Sequence, residues 1–181
     1  MEVDEIELFV QTVLVFLAAF LGIPTGFWLQ HWIESRNLQE EKKQLLRLLE
    51  NNLDDNLRLL NQIETQLTPT YTIYYSLNLS IWPNIVERIS ILDDWNFIEK
   101  IQKAYYELAH LERKIDKQFD LAFLPVPQHV TYPQLQADVA GMRGQLVSNG
   151  ILPHVKSIRE LILELLKDIN AKKIELKSKE K

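Results

Sequence analysis

The 181-residue chain contains no cysteine. That excludes disulfides, thiolate metal sites and a cysteine nucleophile, and it suits a reducing compartment. Only five glycines are present, so a glycine-rich phosphate cradle has little material. No Walker loop, dinucleotide fingerprint or Gly-x-Ser-x-Gly elbow occurs. Positive charge is also short. Twenty Lys and Arg against 25 Asp and Glu leave a net charge of −5, so no nucleic-acid partner is expected. No long internal repeat is evident.

What the chain does have is one long uncharged run. No Asp, Glu, Lys or Arg lies between Glu7 and Glu34. Residues 8–29, LFVQTVLVFLAAFLGIPTGFWL, are apolar all round rather than along one stripe. A helix rises ~1.5 Å per residue and a bilayer core is ~30 Å thick, so about 20 residues suffice to cross it. The leading MEVDEIE carries four acids and no base, which argues against a signal peptide. The run predicts a single transmembrane helix. Basic residues sit only on its C-terminal flank, at Arg36, Lys42, Lys43 and Arg47. They place residues 1–7 outside and the rest in the cytoplasm, at the inner or an internal membrane. Trp28 and Trp32 suit an anchor at the inner interface. Ala18, Gly22 and Gly26 recur every fourth residue, a spacing that lets two membrane helices approach closely. Pro24 lies between the glycines and removes a helical hydrogen bond, so a kink accounts for them equally well.

Residues 30–67 predict a stalk and first bundle helix. Leu46, Leu49, Leu53, Asn56, Leu60, Ile63 and Leu67 fall at spacings of three and four, a heptad seam containing one Asn. Leu45, Leu57 and Leu59 widen that face, as burial in a bundle requires. Asn56 either sets register between identical helices or bonds a neighbour inside the bundle. Thr68-Pro69-Thr70 ends the helix, and residues 68–178 complete the bundle. The stretch TYTIYYSLNLSIW, 70–82, reads as an extended connection rather than a strand, because no second strand is available to pair with it. Ser80 is the expected N-cap of a short helix bearing Trp82, Ile85, Val86 and Ile89, with Pro83 in its first turn. Asp93 or Asp94 caps the next helix, whose stripe is Ile98, Ile101, Tyr105, Leu108, Leu111, Ile115 and Phe119. A proline-rich loop, 121–133, holds His129 and Tyr132. Leu135, Val139, Met142 and Leu146 mark a further helix, expected to stop at Asn149-Gly150. Pro153 opens the last helix, with Val155, Ile158, Ile162, Leu165 and Ile169 on one face. The fold class is all-α: one N-terminal transmembrane helix followed by a cytoplasmic antiparallel helical bundle.

LLRLLENNLDDNLRLL (45–60), LSIWPNIVERISIL (79–92) and FIEKIQKAYYELAHLERKID (97–116), with its central Tyr105, stand after a single membrane helix. The layout over about residues 8–120 resembles a loose group of bacterial, single-pass, membrane-anchored helical proteins of uncharacterised function. Pro83 after the Trp departs from that group's pattern. The resemblance implies a fold and brings no catalytic residues.

Chemistry is sparse. Glu107 and His110 form Glu-x-x-His, the spacing of di-iron bundles, but such sites need a second pair and further inward carboxylates. None of His31, His129 and His154 follows a Glu at that spacing. Glu107 and His110 also point away from Tyr105 and Leu108, so they read as a solvated pair. The paired acids Glu40-Glu41, Asp54-Asp55 and Asp93-Asp94 read as helix surface or cap. No catalytic, cofactor or metal residues are assigned, and no enzyme activity is expected. The aromatic residues Tyr71, Tyr74, Tyr75, Trp82 and Trp95 serve as a partner surface or plug the end of the bundle. The expected function is a membrane-anchored helical scaffold or interaction protein. Its partners would be the lipid bilayer together with a second copy of itself or another protein. The alternative is a signal-transducing or effector subunit whose bundle senses a ligand or partner.

Overall fold

A computed structural model describes residues 2–68, 75–122 and 133–178. Every regular element among them is helical, so the protein is all-α. The order is α1 (Glu2–Gln66), α2 (Trp82–Arg88) with a 3-10 turn (Ile89–Leu92), α3 (Trp95–Ala122), α4 (Pro133–Gln145), a π-helical segment (Leu146–Ile151) and α5 (Leu152–Ser178). The chain divides into two compact units, Met1–Lys42 and Lys43–Lys181.

In the first unit, the described side chains of α1 from Thr12 to Leu38 are exposed whatever direction they face. At about 100° per residue, Phe16, Phe20, Ile23 and Phe27 lie on one side, Val15, Leu29 and Ile33 on a second, and Leu14, Trp28 and Trp32 on a third. All of them are exposed, Phe16 and Phe27 to 71%. The Phe16 and Phe20 rings stack at 6.4 Å. The Thr25 hydroxyl donates to the Gly22 carbonyl at 3.0 Å, which satisfies it within the helix. The Arg36 guanidinium sits 4.9 Å over the Trp32 ring. Among the described residues no helix is long and apolar enough to cross a membrane. Nine side chains of the 8–29 stretch, at 8–11, 17–19, 21 and 24, lie outside them, including Ala18 of the expected small-residue series.

The second unit is a helical bundle. Every position of the heptad seam is buried, from Leu46 through Asn56 to Leu67, and Leu45 joins it. The α3 stripe is buried from Ile98 to Ile115, and the α5 stripe from Val155 to Ile169. At the end of α3 it is Gln118 that is fully buried, with neither amide atom hydrogen-bonded, while Phe119 is half-buried.

Ion pairs along α5 give the helix directions. Lys173 pairs with Glu50 at 2.6 Å, and Arg159 pairs with Glu64. Against α3, Lys172 pairs with Asp94 at 2.5 Å and His154 with Glu107 at 2.6 Å. As the α5 numbers fall, the partner numbers on α1 and α3 rise. So α5 is antiparallel to both, and α1 and α3 run the same way. The antiparallel packing expected from the sequence holds for α5 against both partners but not for α1 against α3: two helices sharing a direction need the chain to come back between them.

Residues 75–79 make that return in extended form. Tyr75 donates through its hydroxyl to Gln66 Oε1 at 2.9 Å. The Leu77 N–H donates to Glu112 Oε1 at 3.2 Å. The Asn78 N–H donates to Asn56 Oδ1 at 2.8 Å, and its carbonyl accepts from Asn52 Nδ2 and Asn56 Nδ2 at 3.0 and 3.1 Å. Asn56 Nδ2 also reaches Asn52 Oδ1, and the Tyr105 hydroxyl donates to the same oxygen at 2.7 Å. A backbone segment with no ladder of its own must find side-chain partners when buried. Asn52 and Asn56 supply them.

Local chemistry sets the ends. Asp94 caps α3, accepting from the Phe97 N–H at 3.0 Å, and the Lys172 ammonium beside it holds its carboxyl below the usual carboxylate value. Ser80 does not cap α2. The cap position falls on Ile81, without a side-chain bond, and Ser80 donates to Asn78 Oδ1 instead. Asn149-Gly150 does not stop the chain either. The helix widens into the π segment, where the Leu152 N–H reaches Val147 O, and no glycine has positive φ among the described residues. Pro153 explains the widening: it lacks the N–H that would bond the Asn149 carbonyl and crowds that oxygen.

Replacing Asn56 by Ala should lower unfolding stability by about 1–3 kcal/mol in a urea titration, because the half-buried Asn78 N–H loses its partner. Burial raises the Tyr105 hydroxyl above its ordinary value of 10. Its contribution is therefore whole below pH 10 and is lost as the pH climbs through the folded-state value. In Tyr105→Phe this loss should be absent from melting temperatures measured between pH 9 and 11.

Candidate functional site

Among the described residues, one cluster of metal-ligating side chains joins α3 to the beginning of α5. Glu107, His110 and Lys114 occupy positions i, i+3 and i+7 of α3, one flank of that helix beside its buried stripe. The π segment delivers His154 to the same flank. His154 Nε2 stands 2.6 Å from Glu107 Oε2, and Lys114 Nζ lies 3.2 Å from His154 Nδ1 and 3.4 Å from the Gly150 carbonyl. The rings of His110 and His154 meet edge to face at 5.4 Å. Donor atoms of Glu107, His110 and His154 all lie within 4.8 Å of one another. His154 is 11% exposed at its side chain, Glu107 is half-buried and His110 is exposed.

An ammonium has only hydrogens to offer, so Lys114 donates to His154 Nδ1. The imidazole proton then sits on Nε2 and is donated to the Glu107 carboxylate. The result is a relay in which a neutral imidazole bridges a cation and an anion. Burial holds His154 below its ordinary value of 6.5; the Glu107 hydrogen bond pulls the other way, and the charges of Lys114 and His110 act with burial. The neutral form is therefore the folded form at pH 7.

Glu107 and His110 were visible in the sequence as a pair on one helix. The third member was not, because His154 is 44 residues further on than His110 and has no matching Glu at helical spacing. The signal available was Asn149-Gly150 followed by Pro153, an irregularity at the start of a strongly periodic helix, where polar side chains gather around loosened backbone.

The other sequence candidates do not converge. Asn56 bonds Asn52 and Asn78 of its own chain. Tyr75 is buried, and Trp82 is half-buried, stacked 4.4 Å from Tyr105. Trp95 is 73% exposed, while Tyr71 and Tyr74 lie outside the described residues, as does His129. These aromatics therefore include one core member, Tyr75, one ring packed against the core, Trp82, and one exposed ring, Trp95. A Cβ added at Gly22 or Gly26 would meet nothing within 4 Å, so neither glycine is required by packing within the chain. A surface hollow of about 320 Å³ is lined by Asp94, Lys100, Asp168 and Lys172. Its charges are engaged with each other, Lys100 with Asp168 at 2.9 Å and Lys172 with Asp94 at 2.5 Å.

No family model, curated protein or solved structure matches the chain.

Protonating His154 in the folded state works against burial and against Lys114. With its folded value depressed, the unfolded chain takes up protons first, so stability should fall as the pH is lowered through 6.5 towards the folded value. Melting temperatures at pH 7.5 and 5.5 should show this slope in the wild type and a shallower one in His154→Gln.

Proposed function

We propose that this protein is a membrane-anchored helical scaffold, single-pass, with residues 1–7 outside and the bundle of residues 43–178 on the cytoplasmic face. The observation that carries the reading is the apolar surface of α1 between Val13 and Ile33, exposed on every side and free of Asp, Glu, Lys and Arg. Contiguous apolar surface of that extent is costly in water, whereas the bilayer is its natural solvent. Arg36 over Trp32 supports an inner-interface anchor, with the cation on the headgroup side. The function is association with a second copy through the Gly22 and Gly26 face of α1, or with another protein docked on the bundle. The second reading is a sensing subunit, favoured by one observation: a polar relay at a π-helical segment, where ionisable side chains join two helices beside the buried Val147, Ile151 and Val155.

After cell lysis, the full-length protein should stay in the membrane pellet through an alkaline carbonate wash, and deletion of residues 1–42 should move it to the supernatant. Full-length protein in the supernatant would overturn the anchor. In detergent, the wild type should run as an oligomer or with a co-purifying protein. A strict monomer that brings nothing with it would overturn the association. Replacing both Gly22 and Gly26 by Ile should reduce self-association by tenfold or more while leaving bundle melting unchanged.

A further inference from the structure

We propose that Glu107, His110 and His154 form a binding site for a divalent transition-metal ion of the zinc class, which clips α3 to the start of α5 by displacing Lys114.

Two imidazoles and one carboxylate are a donor set that suits zinc, nickel or copper, and suits magnesium or calcium poorly. A tetrahedral ion with bonds of about 2.0–2.1 Å holds its donors about 3.3 Å apart. The three donors lie within 4.8 Å of one another, and one pair is already at 2.6 Å. Side-chain rotations of an ångström or less bring all three to the coordination distance. His110 is exposed, so it can turn without disturbing the core. The fourth position faces solvent and takes water.

Lys114 gives the site its distinguishing property. With an ion on His154 Nε2, the imidazole proton must move to Nδ1. That nitrogen now accepts from the Lys114 ammonium at 3.2 Å, and a donor cannot face a donor. The ammonium therefore gives up Nδ1, and it keeps the Gly150 carbonyl, which it already approaches at 3.4 Å. Lys114 and the ion are alternatives for the same histidine. The metal-free protein holds the two helices together by the Lys114–His154–Glu107 relay, and the metal-bound protein by coordination. Binding moves the imidazole proton from Nε2 to Nδ1 and releases none, so His154 stays neutral in both forms.

The test is a cobalt(II) titration of untagged full-length protein, read by visible d–d absorption, with zinc displacement and calorimetry. The wild type should take one ion per chain, and zinc should raise its melting temperature. His110→Gln, an exposed change that leaves the bundle intact, should weaken binding at least tenfold, as should His154→Gln. Lys114→Gln removes the competing charge and should tighten binding about tenfold. His31→Gln and His129→Gln should bind as the wild type does. The proposal is overturned if the wild type binds no ion, if His110→Gln binds as tightly as the wild type, or if Lys114→Gln binds no better.

Discussion

Two long helices that run in the same direction cannot be joined by a tight turn. The chain has to travel back along the bundle, and in doing so it carries peptide groups into an apolar groove. Residues 75–79 make that passage between α1 and α3. The N–H groups of Leu77 and Asn78 and the Asn78 carbonyl are satisfied by side chains of Glu112, Asn56 and Asn52 rather than by a neighbouring strand. Amide side chains suit this task because each offers a donor and an acceptor. Tyr105 completes the group from α3, so one polar knot ties α1, the returning segment and α3 together. The surrounding Leu and Ile positions contribute most of the burial energy. The knot decides which arrangement that burial produces, since slipping any partner by one residue would strand several hydrogen-bonding groups at once.

The charged contacts play a different part. Glu50 with Lys173, Asp94 with Lys172, and Lys100 with Glu164 and Asp168 lie along the seams of α5 at least partly exposed to solvent. Pairs of that kind add little net stability. Their value is directional: the charged groups of α1 and α3 meet opposite charges on α5 only when α5 runs antiparallel to both. The Lys114–His154–Glu107 relay lies on the same seam but is more enclosed, and it is the one place there where protonation state and helix contact are coupled.

Periodicity made the helices readable. The seam from Leu46 to Leu67 and the stripe from Val155 to Ile169 repeat at spacings of three and four, and burial follows them residue by residue. Where one residue type serves two purposes, the sequence was ambiguous. Ser80 resembles a cap, yet its hydroxyl is drawn to Asn78. Asn149-Gly150 resembles a stop, yet the helix passes through by widening. Asn56 was legible as an exception in the seam, but its partners at 52 and 78 were not, because they depend on where the extended segment lies. The metal-ligating cluster was half legible for the same reason: helical spacing joins Glu107 to His110, and only the tertiary fold brings His154 to them.

The π segment also bears on how such a chain can vary. A π turn holds one residue more than the α-helix around it, and that extra residue rotates everything before it by about 100° relative to everything after. Leu146–Ile151 is therefore the joint at which the face that α4 presents is decoupled from the face that α5 buries.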